Sequence, residues 1–209
     1  MGFIKHREVR PVTLDGRTRP RDCAGLIAAL DDDNPTARRW AARDLTDLTD
    51  CPGSSAALVT RLGREPDNSV REVILTTLTL RGDDVAVAGL VGCLGSEDAA
   101  LRNEAVEAMK QLPDQVAPII GGLLADADPD VRIFAVNILE SLRHPEVESW
   151  LVSVIDRDPH VNVCATAADL LGEVGSQAAH PALLRLRQRF ADEPYIQFAT
   201  ELALKRIVG

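Results

Sequence analysis

One pattern returns six times along this chain and limits what it can fold into more than any other feature. With Arg132 as reference, the equivalent positions are Arg38, Arg71, Arg102, Arg132, Cys164 and Gln197, spaced 33, 31, 30, 32 and 33 residues apart. The residue just before is always apolar: Ala37, Val70, Leu101, Val131, Val163 and Ile196. Three residues later come Ala41, Ile74, Ala105, Ala135, Ala167 and Thr200, and seven later Leu45, Leu78, Met109, Leu139, Leu171 and Leu204. Offsets of −1, +3 and +7 are four residues apart and share one stripe of an α-helix. Ten after the reference stand Leu48, Leu112, Leu142, Val174 and Ile207, with Arg81 as the misfit. Self-similarity at such a period belongs to stacked repeats, in which each unit completes its apolar core only against its neighbours.

Each periodic helix carries a start signal. Four residues before the reference are Asn34, Asp67, Asp98, Asp128, His160 and Glu193, of which the first four are good N-cap residues. Pro35, Pro129 and Pro194 follow, where a first helical turn tolerates proline. A second amphipathic segment then appears each time: Ala56–Leu62, Val85–Leu94, Val116–Leu124, Val147–Ile155 and Pro181–Leu186, with Cys23–Leu30 ahead of the first full unit. Strand-like alternation is confined to Val9–Leu14. The expected fold is all-α, an α-solenoid of about five full helix pairs plus terminal half-repeats, over residues 22–209. Its C-terminal helix is expected to turn a polar outer face to water through Gln197, Glu201, Lys205 and Arg206. Residues 1–21 read as a separate basic arm, extended or disordered.

The column set D-P-x-x-V-R…A…L, best seen in Asp126–Leu142 and in Asp158–Gly175, resembles the short bacterial HEAT repeats named after the phycobilisome lyases. The tetratricopeptide Trp, Leu-Gly and Tyr positions and the ankyrin T-P-L-H are absent. The resemblance covers residues 22–208 and implies a right-handed superhelix whose second helices line the concave side, where extended partners lie. It specifies fold far better than activity. The chain departs from the pattern at Cys164 and Gln197, which puts the contacts between neighbouring repeats in doubt toward the C-terminus.

Charge narrows the partner. Residues 1–21 carry Lys5, Arg7, Arg10, Arg17, Arg19 and Arg21 against Glu8 and Asp15, and the overall net charge of −9 leaves an acidic middle. Duplex binding depends on neutralising phosphates, so nucleic acid is not the expected ligand. No apolar run approaches a membrane span, and residues 1–10 lack a secretory leader. Cys23, Cys51, Cys93 and Cys164 lie far apart without a C-x-x-C pair and read as reduced thiols of a cytoplasmic protein.

No catalytic, cofactor-binding or metal-binding residues emerge. The Asp and Arg columns recur in unit after unit, whereas a reactive centre is needed once; Arg38, Arg71, Arg102 and Arg132 are therefore expected to bond to the turns of neighbouring repeats. His6, His144, His160 and His180 form no helical zinc pair, and Cys164 sits among apolar neighbours as an inert thiol. Gly121-Gly122 lacks the flanking residues of a phosphate loop. Trp150 falls in core register. Trp40, Val73 and Phe134 share a column that would form an exposed apolar strip if uncovered. The expected function is a non-enzymatic scaffold or adaptor that docks another protein, in a bacterial signalling or assembly complex. The polar positions of the second helices are the expected partner surface: Arg61, Arg64, Asp83, Asp84, Gln115, Glu146, Glu148, Gln177, His180 and Arg185. The alternative that the resemblance implies is a bilin lyase-like subunit or chromophore chaperone. Only seven aromatics stand against it. A DNA-repair glycosylase is a third reading, opposed by the acidic middle.

Overall fold

The computed structural model describes residues 21–208, so the basic arm falls outside the described residues except for Arg21. Among the described residues the ordered elements are all helical. They are α1 (Cys23–Ala29), α2 (Pro35–Asp47), α3 (Ser54–Leu62), α4 (Asn68–Arg81), α5 (Asp84–Leu94), α6 (Ala99–Lys110), α7 (Pro113–Val116), α8 (Ile120–Leu123), α9 (Pro129–Leu139), α10 (Val147–Arg157), α11 (Val161–Val174), α12 (His180–Arg189) and α13 (Pro194–Val208). A short 3-10 turn, Gln177–Ala179, leads into α12. Two compact units divide after Thr77, within α4.

Helix starts follow the sequence signals. Asn34, Asp98 and Asp128 each accept a backbone N–H from the first turn of the helix they cap, and Asp67 does so for α4. These bonds satisfy donors that a helix start leaves unpartnered. His160 lacks such a cap bond. Its imidazole offers one acceptor nitrogen on a bulky ring, a poor substitute for a short carboxylate. Glycine is required where the backbone turns left-handed, at Gly53 before α3 and Gly82 before α5, with φ of 79° and 55°.

Within the first unit, α1 packs on α2 and α3. In the second, α5 packs on α6, α6 on α9, and α11 receives α9, α10 and α13. The periodic stripe is the core of both units. Its middle column (Ala41, Ile74, Ala105, Ala135, Ala167 and Thr200) is at most 2% exposed. Leu45, Leu78, Met109, Leu139 and Leu171 have no exposed surface. Short side chains at the closest approach let helices pack densely; at Gly172 of α11 an added Cβ would lie 3.0 Å from the Ala203 Cα of α13.

Three expectations need correction. The segment expected over Val116–Leu124 is two short helices, α7 and α8, broken at Ala117–Ile119, because Pro118 cannot donate to a helical ladder. The C-terminal helix is not uniformly polar outside: Tyr195 and Phe198 are 51% and 63% exposed. Nor are all four thiols free, for Cys23 and Cys51 form a disulfide. The α1–α2–α3 packing brings their Cα atoms to 5.2 Å, a closeness hidden by a separation of 28 residues. Cys93 and Cys164 are buried and free.

Candidate functional site

The reference column makes a ladder of bonds to inter-helix turns. Arg38 Nε and Nη2 donate to both carboxylate oxygens of Glu65 at 2.8 and 2.7 Å, while Nη1 donates to the carbonyls of Asp32 and Asp33. In the second unit Arg132 does the same: Nε and Nη2 reach Asp158 at 2.6 and 3.1 Å, and Nη1 reaches the Asp126 and Ala127 carbonyls. Arg102 bonds the Ser96 carbonyl at 2.6 Å. Arg38, Arg102 and Arg132 thus tie their helices to the turn six residues earlier, and Arg38 and Arg132 also clamp the next turn by a fork that only a guanidinium supplies, whereas Arg71 donates to Asn68 Oδ1 at 2.8 Å within its own helix.

Glu65 shows the electrostatics. Burial alone would push its carboxyl up, but hydrogen bonds from Arg38, Arg61 and the Asp67 N–H, with the Arg38 charge, bring it down to about 2.

The two departures from the column are accommodated differently. Cys164 keeps the bond to the turn through Sγ, 3.3 Å from the Asp158 carbonyl, and Arg189 of α12 fills the space of the absent guanidinium. Arg189 donates to the carbonyls of Asp156 and Asp158 and to the Cys164 sulfur at 2.7, 2.8 and 3.0 Å. Contacts at this repeat therefore persist, contrary to the doubt raised by the sequence, because a side chain from the following hairpin reaches back. Gln197 bonds the Arg187 and Phe190 carbonyls. Burial pushes the Cys164 thiol up to about 11, against the influence of Arg189, which keeps it protonated and unreactive.

A groove of about 550 Å³ lies in the second unit along α8 and α10, the second helices of successive hairpins. Leu124, Trp150 and Val154 supply its apolar wall, Ser153 and Arg157 its polar edge, and the Arg132–Asp158 pair joins its lining. Gly121 opens it: an added Cβ there meets nothing within 4 Å. Trp150 is half-buried instead of fully packed, its ring stacked on His144 at 4.8 Å. It sits at the edge of the core stripe, because the buried face of α10 is centred on Val147, Leu151, Val154 and Ile155. Arg157 is exposed in the last turn of α10. A smaller cavity of about 380 Å³ is lined by Ile155, Asp156, Arg185, Leu186 and Arg189.

The ten residues expected on a partner surface are not one cluster. In the first unit, Arg61 pairs with Glu65 and Asp31, and Arg64 pairs with Asp31. In the second, Asp83 caps α5, Glu148 accepts from the Ser176 N–H and hydroxyl, and Arg185 forks onto Asp156. Asp84, Gln115, Glu146 and Gln177 are exposed, and His180 is half-buried. None of the ten lines the larger groove. Trp40, Val73 and Phe134 are each partly exposed. Of the groove residues, Trp150 was expected in the core, and Ser153 and Arg157 carried no signal, although the Gly121-Gly122 pair in a second helix marked where side-chain cover is missing.

Among the described residues no cluster of three or more His, Cys, Asp or Glu side chains could hold a metal ion, and no helix is long and apolar enough to cross a membrane. A family model of HEAT repeats matches residues 23–110 and 116–205. The chain belongs to the HEAT-repeat family. Three solved structures illustrate its structural neighbourhood. Human deoxyhypusine hydroxylase in complex with glycerol is 18% identical with a TM-score of 0.46, over 90% of this chain and 75% of that one. The archaeal HEAT-like repeats protein from Thermococcus onnurineus NA1 is 16% identical with a TM-score of 0.46, over 88% and 86%. The complex of CpcE and CpcF of phycocyanin lyase from Nostoc sp. PCC7120 is 17% identical with a TM-score of 0.40, over 96% and 100%. No curated protein matches this HEAT-repeat chain.

Proposed function

We propose that this HEAT-repeat chain is a non-enzymatic docking platform for another protein, and that the groove along α8 and α10 receives an extended segment of that partner. The observation that carries the reading is the groove itself: an apolar wall of Leu124, Trp150 and Val154 beside the exposed guanidinium of Arg157. The Arg132–Asp158 fork makes one side rigid and internally neutral. Arg157 is thus left as the cation able to select a ligand. A half-buried Trp stacked on a second ring is a pre-organised anchor that loses little side-chain entropy on binding. The segment that fits is an extended peptide with an apolar side chain for the wall and a nearby carboxylate for Arg157. Glu146, Gln177 and His180 are secondary candidates for contacts beyond the groove, whereas Arg61, Arg64, Glu148 and Arg185 serve first to hold turns.

A displayed peptide library selected on the purified protein tests this reading. Enriched segments should pair an apolar residue with an acidic one, and Arg157→Glu or Trp150→Ala should each weaken the selected peptide by roughly tenfold or more, the scale of a central hot spot. Selection of basic peptides, or affinities unchanged by both substitutions, contradicts the groove assignment.

A further inference from the structure

We infer that the Cys23–Cys51 disulfide is a reversible thiol–disulfide site that controls whether α1 stays docked on the first repeat. The inference is confined to residues 21–62 and stands independently of the groove. The two ends of this bond are held very differently. Cys51 is 4% exposed, in the turn before α3, and its carbonyl accepts both the Ser54 hydroxyl at 2.7 Å and the Ser54 N–H at 3.2 Å. That turn keeps its geometry without the sulfur bridge. Cys23 is only half-buried and opens α1, a helix of seven residues. So short a helix is unstable alone and depends on what it packs against. What α1 and its C-cap bury is small: Leu26, Ala29 and Leu30. Its other ties include the Asp22 cap on the Gly25 N–H and an Arg21–Asp44 ion pair whose guanidinium is exposed to water. The disulfide spans 28 residues and covalently holds the start of α1 against the turn before α3.

The chemistry requires a dithiol as reductant. Its thiolate attacks the sulfur of Cys23, the more exposed partner, and the Cys51 sulfur leaves as a thiolate that takes up a proton. The second thiol of the reductant then attacks the mixed disulfide, releasing the Cys23 thiol and leaving the reductant as a cyclic disulfide. Two electrons and two protons pass from the dithiol to the cysteine pair, and a disulfide oxidant reverses the exchange. Cys93 and Cys164 take no part, being buried and separate.

The test uses the full chain, oxidised with glutathione disulfide and then treated natively with dithiothreitol. Before reduction, alkylation after denaturation should label Cys93 and Cys164, and mass spectrometry should recover a peptide joined at Cys23 and Cys51. Dithiothreitol should raise the labelled thiols to four without denaturant. Amide exchange over residues 23–30 should rise roughly tenfold or more while α2 changes little, as local opening requires. Re-oxidation should restore slow exchange. The Cys23→Ser/Cys51→Ser variant should exchange fast with or without reductant; should it fail to fold, the reduced natural chain still gives the answer. Four labelled thiols before reduction, a bond that resists dithiothreitol until the protein is denatured, or exchange over 23–30 that ignores reduction would each overturn the inference.

Discussion

Glu65 has no exposed side-chain surface yet accepts from two arginines, so its ionised form is held by partners and not by water. Because its carboxyl is depressed in the folded chain to about 2, its contribution is present above the ordinary carboxylate range and fades as pH falls from about 4.5 toward 2. The span corresponds to about 3 kcal/mol. Denaturant unfolding between pH 5 and pH 2 should show this loss, and Glu65→Gln should flatten that part of the profile while lowering stability at neutral pH. Arg38→Ala leaves the carboxylate buried without its fork and should cost roughly 3–5 kcal/mol, whereas replacing both partners with apolar residues of similar size should recover much of it. A double-variant cycle by chemical denaturation measures the difference. At position 164 the sequence showed only that an arginine was missing. That Arg189 reaches back from 25 residues downstream is tertiary information, since spacing along one helix cannot reveal which later side chain has the length to return.

Helices were the most legible elements, and the reasons are local. Asn34, Asp67, Asp98 and Asp128 announce starts through bonds made within two or three residues, and the stripe through Ala135 and Leu139 has a period that only a helix satisfies. The break at Ala117–Ile119 was less legible, because the apolar spacing of Val116, Ile120 and Leu123 continues across it while Pro118 interrupts the backbone. Close helix approach yields its own prediction. Gly172→Ala brings a Cβ to 3.0 Å from the Ala203 Cα and should force α11 and α13 apart, costing roughly 1–3 kcal/mol by thermal or chemical unfolding. Gly121→Ala meets nothing within 4 Å and should be neutral or stabilising by up to about 1 kcal/mol. Equal costs at the two glycines would contradict the packing described here.

For the chain as a whole, the repeat pointed to the class of fold but not to the groove. Polar residues on second helices looked like the natural contact set. Several are occupied in holding turns: Glu148 on Ser176, Arg185 on Asp156, Arg61 on Glu65. A groove is made by what is missing between two helices, as at Gly121, and by a Trp at the edge of the core stripe; hydrophobic periodicity does not separate the edge of a stripe from its centre. The claim that this HEAT-repeat chain acts by docking a protein segment along α8 and α10 is tested most directly by site-specific photo-crosslinking in the native cell. A photoreactive residue at Ser153, within the groove, should capture one discrete protein, and the capture should disappear with Arg157→Glu. The same probe at Thr166, on the exposed side of α11, should not capture it. Equal capture at both positions, or capture at Ser153 that persists with Arg157→Glu, would contradict the account.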